Sequence, residues 1–366
     1  MIIGENISLK PYNTFQIDVN ARYFIEIQSE EELKELFSEE IFKRQKRLIL
    51  GGGANMLFTE DFDGLVIKVD APCRDRSCTC PSENHIIYPG KNEHSYPGKN
   101  EHSYPGKNEH PYLRSNDNDH IHISVPAGED WSDFVQYANS QGWAGLQKLA
   151  GIPGQVGTAP VSNIGAYGVE IGDLIERVEG YDLQTGEKRR YSHDECEFGY
   201  RTSIFKTSLI NQFFITCVCF RLIKLDSSLH SQGQKLQKIS DEILQMRSEK
   251  LPDLELFPSA GSFFKNPVVS IEKWQELKGK FEELIGFANE KMVKLSAGQL
   301  IEMAGLKGYS NGKAGVSNKH ALILVNEGGA TGNDILDVMK VVQDAVKEKF
   351  RVELEPEVVI IKNGGE

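Results

Sequence analysis

The sequence predicts an α+β protein built from several small lobes. Three observations carry that expectation. Helix-period and strand-period segments follow one another irregularly, not as repeated βαβ units. At 366 residues the chain is too long for one ordinary core, so two or three domains are expected. Two glycine clusters interrupt the pattern at densities that no regular element tolerates, because glycine loses the most backbone freedom on ordering.

In chain order, Ser29-Glu-Glu-Glu32 reads as a capping box opening a helix with Leu33, Leu36 and Phe37 on one face. Residues 47–50 and 65–69 read as strands. Residues 121–125 alternate as a strand does, and 129–140 read as a helix with Trp131, Phe134, Val135 and Ala138 inward. Further strands are expected at 178–183 and 213–222, and a helix at 238–247 that stops before Pro252. Ser296-Ala-Gly-Gln299 reads as a second capping box, with Gly305 as the stop after its helix. Residues 334–350 form a strongly amphipathic pattern. A strand at 352–361 closes the chain, and its alternation puts Glu353, Glu355 and Glu357 on one face.

The formal net charge of −12 argues against nucleic acid as the main partner. The start, Met1-Ile-Ile-Gly-Glu-Asn, lacks a secretory signal, and no apolar run approaches the ~18 residues of a membrane span. A soluble cytoplasmic protein is expected, with the oligomeric state open and a monomer favoured. Of six cysteines, Cys217 and Cys219 sit in a strand-like run and read as small core hydrophobes. Cys73, Cys78 and Cys80 have His85 and His94 nearby, but C-x4-C-x-C fits no common zinc framework, so no metal is expected.

Residues 88–110 repeat Tyr-Pro-Gly-Lys-Asn-Glu-His-Ser, twice in full and a third time as far as His110. A period of eight is far below that of a solenoid unit. Each copy has one aromatic and little else to bury. Residues 72–118 therefore read as a mobile surface insertion, with a binding tip built on the periodic Lys, His and Tyr as the alternative.

Five glycines fall within residues 151–168, Gly151-Ile-Pro-Gly-Gln-Val-Gly-Thr-Ala-Pro-Val-Ser-Asn-Ile-Gly-Ala-Tyr-Gly168. The earlier cluster, Gly51-Gly-Gly-Ala-Asn-Met-Leu57, follows an apolar run. It lacks the Lys-Ser/Thr ending of a P-loop and the third glycine of G-x-G-x-x-G. Alone it is a tight turn. With the second cluster, which adds Thr158, Ser162 and Asn163 as donors, it suggests one phosphate-bearing ligand held along its length.

These strings resemble the UDP-N-acetylenolpyruvoylglucosamine reductase family, flavoenzymes that make UDP-N-acetylmuramate for bacterial peptidoglycan. The same family is matched by Asn13-Thr-Phe15, Gly199-Tyr-Arg-Thr-Ser-Ile-Phe-Lys206, Ala260-Gly-Ser-Phe-Phe-Lys-Asn-Pro267 and Glu355-Pro-Glu-Val358, in the family's order. The resemblance implies a two-subdomain FAD-binding fold of the vanillyl-alcohol-oxidase type plus a C-terminal α+β substrate-binding domain. The expected division is 1–70, 71–224 with the insertion, and 225–366, with 352–361 returning to the active site. FAD is expected to be non-covalent, since 51–57 contains no histidine to tether it. The implied cofactor-binding residues are Thr14, Gly51, Gly52, Gly53, Ala54, Asn55, Gly151, Ile152, Gly154, Gly157, Thr158, Ala159, Asn163, Gly165, Ala166, Tyr167 and Gly168.

The implied reaction adds hydride from reduced flavin to the vinyl carbon of an enol ether conjugated to a carboxylate, with NADPH as hydride donor. Negative charge then grows on the carboxylate side, and the neighbouring carbon takes a proton. Family position makes Arg201 the cation on that carboxylate, Glu357 its polarising acid and Ser262 the proton donor. Taken alone, each is ordinary: a surface cation, a solvated acidic face, a turn serine. Lys265 and Asn266 are expected on the substrate, with Lys250, Lys319 and His320 as further anion-site candidates. One departure stands out. The branch of the family with this Arg motif usually presents a tyrosine over the substrate phosphate, and residues 202–261 contain none. Residues 226–238, the expected loop, are short and polar. Two other readings stay open at this point: a flavin oxidase discharging to oxygen, and a non-catalytic scaffold using the repeat. The Arg, Ser and Glu set argues against both.

Overall fold

A computed structural model of the chain describes residues 1–69, 85–87, 119–225, 229–288 and 291–363. The cysteines at 73, 78 and 80, His94 and the 88–110 repeat lie outside the described residues. Of the expected insertion, His85–Ile87 is described, and it is a strand pairing parallel with His120–Pro126. The β-branched pair Ile86-Ile87 suits a strand, but its repeat-rich surroundings hid it.

The chain divides into two compact units, not along the linear boundaries expected. The first holds residues 26–43 and 68–243. Its sheet runs Lys188–Ser192, Ile175–Asp182, Phe213–Lys224, His120–Pro126, His85–Ile87, with Trp143–Ala144 on the end of Phe213–Lys224. The central twelve-residue strand is buried from Phe213 to Phe220, and Cys217 and Cys219 lie inside it as packing residues. Helix Trp131–Ser140 starts where the Asp130 carboxylate accepts from the N–H groups of Ser132 (2.8 Å) and Asp133 (3.1 Å). Its Trp131, Phe134, Val135 and Ala138 are buried as expected, the two aromatics packing on Phe220. Helix Glu30–Ser38 is capped by Ser29, but the Glu32 carboxylate accepts from Gln28 N–H (2.8 Å), one residue before the cap. The buried Glu30 carboxylate is satisfied by the Tyr181 hydroxyl and the Lys188 ammonium, both of which donate to it.

The second unit joins residues 2–25, 44–67 and 244–366. Its four-stranded sheet has the order Gly4–Ser8, Asn20–Ile27, Phe62–Val69, Arg47–Leu50. A parallel pair, Met56–Phe58 with Val359–Ile361, ties the chain's end to its beginning. Phe15, Leu50 and Leu57 share one core with Phe263, Phe264, Val346 and Phe350. That shared core, which no local pattern announces, is why the division departs from 1–70, 71–224 and 225–366. Helix Gly332–Phe350 carries a reciprocal capping box between Thr331 and Asp334, and buries Ile335, Val338, Val342, Val346 and Phe350 along one stripe. Phe350 is 1% exposed, so Phe350→Ala is expected to cost about 3–5 kcal/mol in chemical denaturation; a loss under about 1 kcal/mol would show that this core is not as continuous as described.

Three local expectations are corrected. The closing strand is Val359–Ile361, not 352–361. Of residues 352–358, Val352, Leu354 and Val358 are buried, and the segment forms an isolated bridge, Pro356 opposite Phe264, in place of a longer strand. The helix expected at 238–247 is Leu229–Lys250, so residues 229–238, read as loop, are its first turns. Their Leu, Gln and Lys residues are good helix formers that offset Gly233. Ser296 caps helix Ala297–Met303 as expected and Gly305 follows it at φ +81°, but the Gln299 amide turns away to Glu283 and Ile285, so no box forms.

Candidate active site

In the second unit the chain leaves strand Arg47–Leu50 and turns through Gly51–Asn55 into Met56–Phe58. Gly53 sits at φ +62°, and a Cβ there would lie 1.9 Å from the Tyr12 carbonyl oxygen. Its carbonyl accepts from Thr14 N–H (3.2 Å) and from the Thr14 hydroxyl (3.5 Å). Among the described residues, the N–H groups of Gly52, Gly53 and Ala54 have no protein acceptor. Successive unspent donors of this kind form an anion-binding concavity. Thr14 therefore shapes the turn, and the donors remain for a ligand.

Three segments are stitched beside that turn. Val359 N–H donates to the Asn55 carbonyl (3.0 Å), and the Asn55 amide donates to the Glu357 carbonyl (3.4 Å). Glu357 N–H donates to the Phe263 carbonyl (2.8 Å), and Lys265 N–H to that of Glu355 (2.9 Å). The fully buried Phe263 and Phe264 anchor this stretch, while Ser262 before them is exposed. Among the described residues the Ser262 hydroxyl has no protein partner. The structure thus brings Ser262 and half-buried Glu357 onto adjoining segments. Lys265 pairs with exposed Glu355 at 3.3 Å, and the Asn266 amide oxygen accepts from Ala297 N–H (2.9 Å) at a helix start.

Lys250, Lys307, Lys319 and His320 form a basic group in the same unit. His320 Nδ1 accepts from Leu322 N–H (3.2 Å), which leaves Nε2 carrying the proton. Burial pushes its pKa below the usual histidine value; Lys307 and Lys250 add to that, and Glu302 opposes them. His320 is accordingly a neutral donor at pH 7. The Lys319 ammonium donates to the Ser248 carbonyl (3.3 Å). Lys307, held by Glu302 at 3.0 Å, was not foreseen, since nothing in Leu306-Lys-Gly308 resembles a motif.

The first unit carries residues 151–168 and Arg201. Among the described residues, the N–H groups of Gly151, Ile152 and Gly154 lack protein acceptors. Gly157 instead spends its N–H on the Ala127 carbonyl (2.8 Å), and a Cβ there would lie 2.5 Å from the Ala127 methyl, so the chain can pass only as glycine. The Thr158 hydroxyl donates to the Gln155 carbonyl (2.7 Å), and Ala159 is buried. Gly165–Ala166 pairs with Val169–Glu170 around a two-residue turn, Tyr167-Gly168, both at positive φ as a primed hairpin turn requires. Tyr167 stands 41% exposed, free to face a ligand. The Arg201 guanidinium donates to the carbonyls of Asn163 (3.4 Å) and Gly165 (2.5 Å).

The family model "UDP-N-acetylenolpyruvoylglucosamine reductase, C-terminal domain" matches residues 252–361, and "FAD binding domain" matches 109–191. A UDP-N-acetylenolpyruvoylglucosamine reductase from Shewanella sp. (strain ANA-3) is 40% identical, over 98% of this chain and 97% of that one. The reductase of the same name from Flavobacterium johnsoniae is 38% identical, over 99% and 100%. The chain belongs to the UDP-N-acetylenolpyruvoylglucosamine reductase family. It is a flavin-dependent oxidoreductase acting on a CH–CH bond, with FAD as its cofactor. The fold is that of the crystal structure of UDP-N-acetylenolpyruvylglucosamine reductase from Thermus caldophilus, at TM-score 0.65 and 24% identity over 99% of this chain and all of that one. Among the described residues, no helix is long and apolar enough to cross a membrane.

Proposed function

We propose that the chain reduces UDP-N-acetylenolpyruvoylglucosamine to UDP-N-acetylmuramate, a cytoplasmic step of peptidoglycan precursor synthesis, with non-covalent FAD and with NADPH as hydride donor. FAD, when bound, supplies the hydride that adds to the vinyl carbon. In the second unit the unspent N–H groups at Gly52–Ala54 suit a phosphate of the cofactor; in the first unit those of Gly151, Ile152 and Gly154 do the same, and Tyr167 lines the flavin. Gly51, Asn55, Gly157, Thr158, Ala159, Gly165, Ala166 and Gly168 shape the backbone around those donors.

Arg201 holds the substrate carboxylate as charge grows on it, the task for which a planar guanidinium fork is suited. Ser262 hands its hydroxyl proton to the neighbouring carbon. Glu357 polarises the enolate. Lys250, Lys319 and His320 take the anionic sugar-nucleotide end, with Lys265 and Asn266 nearer the reacting group. The observation that most supports this reading is the stitching of 263–265 to 355–357, which sets the proposed proton donor and acid on adjoining segments.

The test is a pair of anaerobic half-reactions. NADPH is expected to bleach the yellow holoenzyme, and the enolpyruvyl sugar nucleotide to restore its colour. Return of colour only on admitting oxygen would instead make the chain an oxidase.

A further inference from the structure

We infer that Asn163 is a positioning residue for Arg201, holding both the backbone and the guanidinium of that arginine. The inference rests on the proposed role of Arg201 at the substrate carboxylate.

Arg201 occupies a strained place. Gly199-Tyr-Arg-Thr202 is a tight turn closed by Gly199 N–H to the Thr202 carbonyl (3.1 Å) and Thr202 N–H to the Gly199 carbonyl (3.2 Å). Within it Arg201 adopts φ +57°, a left-handed conformation that is unfavourable for an L-residue with a side chain. Such a conformation persists only where its surroundings enforce it.

Asn163 supplies much of that enforcement. It is 2% exposed, and its amide is fully engaged by protein. The two N–H groups donate to the Gly199 carbonyl (2.9 Å), at the foot of the turn, and to Glu170 Oε2 (2.9 Å). Its oxygen accepts from Gly172 N–H (2.8 Å). The amide therefore clasps the arginine's turn to the Val169–Glu170 strand and the turn after it. At the same time the Asn163 backbone carbonyl receives the Arg201 guanidinium. With both donors and the oxygen engaged by protein, the side chain is committed to this clasp.

The residue type follows from this arrangement. Asn163 sits at φ +42°, where asparagine is among the few tolerated side chains. Aspartate shares that tolerance but has no N–H, so Asn163→Asp would set a carboxylate against Glu170 and the Gly199 carbonyl. Glycine keeps the backbone and removes the clasp.

Asn163→Gly and Asn163→Asp are the test, with Asn163→Asp/Glu170→Gln as a partial rescue that restores a donor opposite the new carboxylate. The expected result is a rise in KM for the enolpyruvyl sugar nucleotide of roughly 10- to 100-fold, from the loss of about 1–3 kcal/mol at a buried amide. The same loss should appear when the sugar nucleotide is titrated into oxidised holoenzyme and followed by the flavin absorbance. FAD affinity, the resting flavin spectrum and the rate of reduction by NADPH should not change, and the double variant should recover part of the affinity. Equal losses in FAD affinity and substrate affinity, or no change in either, would overturn the inference. Arg201→Lys serves as the reference. If it weakens sugar-nucleotide binding while the Asn163 variants do not, the positioning inference alone fails. If it too leaves binding and reoxidation untouched, the reading of Arg201 fails with it.

Discussion

Ser262→Ala is expected to leave reduction of bound FAD by NADPH at its wild-type rate while slowing turnover by about 10²–10⁴-fold, the usual worth of a positioned proton donor. A serine hydroxyl is a poor acid in water. Against a strongly basic enolate carbon it suffices if it is held close and dry. Its surroundings meet the first condition. Phe263 and Phe264 are buried at 0% and 1%, and they pin the backbone on which Ser262 is exposed. Glu357 N–H and Lys265 N–H tie the same stretch to 355–357. Since the hydroxyl has no protein partner among the described residues, its removal strands no buried group, and the melting temperature should hold within about a degree. Stopped-flow absorbance of the two half-reactions separates the cases. Unimpaired reoxidation by the enolpyruvyl sugar nucleotide would remove Ser262 from the mechanism, and slowed reduction by NADPH would assign it a different one.

Gly53→Ala is expected to release FAD and to destabilise the protein by about 2–5 kcal/mol, combining left-handed strain with overpacking. The residue sits at φ +62°, and the new methyl would lie 1.9 Å from a backbone oxygen, that of Tyr12, which no rotamer change relieves. The shift needed would also break the hold of Thr14 on the Gly53 carbonyl and turn away the three unspent N–H groups. Gly279→Ala is the internal control. That glycine lies in helix Ile271–Lys280 with nothing within 4 Å of the added methyl, so the change should stabilise by up to about 1 kcal/mol. Thermal melts with and without added FAD, together with the A450 retained after gel filtration, report both effects. A Gly53→Ala protein that keeps its flavin and its melting temperature would show that the turn is more pliant than its geometry implies.

The family was legible where its motifs depend on residue type at short range. The glycine clusters, Arg201, Ser262 and Glu357 stood out as strings. So did helix Gly332–Phe350, whose cap and stripe are both local. Less visible was anything depending on a partner distant in sequence. Strand Val359–Ile361 is short because its partner Met56–Phe58 is short. Helix Leu229–Lys250 begins well before the apolar periodicity does. Lys307 joined the basic group only through the fold, and Asn163, expected to face the cofactor, spends its side chain on Gly199, Glu170 and Gly172.

By itself, the sequence determined the family and the FAD cofactor, because those are properties of short ordered strings. Tertiary structure alone decided that residues 2–25 and 44–67 share a core with 244–366. It also decided which donors in the glycine clusters are spent on protein and which remain for a ligand. The physical reason is the same in both cases. Burial and hydrogen bonding are settled between segments far apart in the chain, and a one-dimensional pattern records what each segment offers but not which partner accepts it.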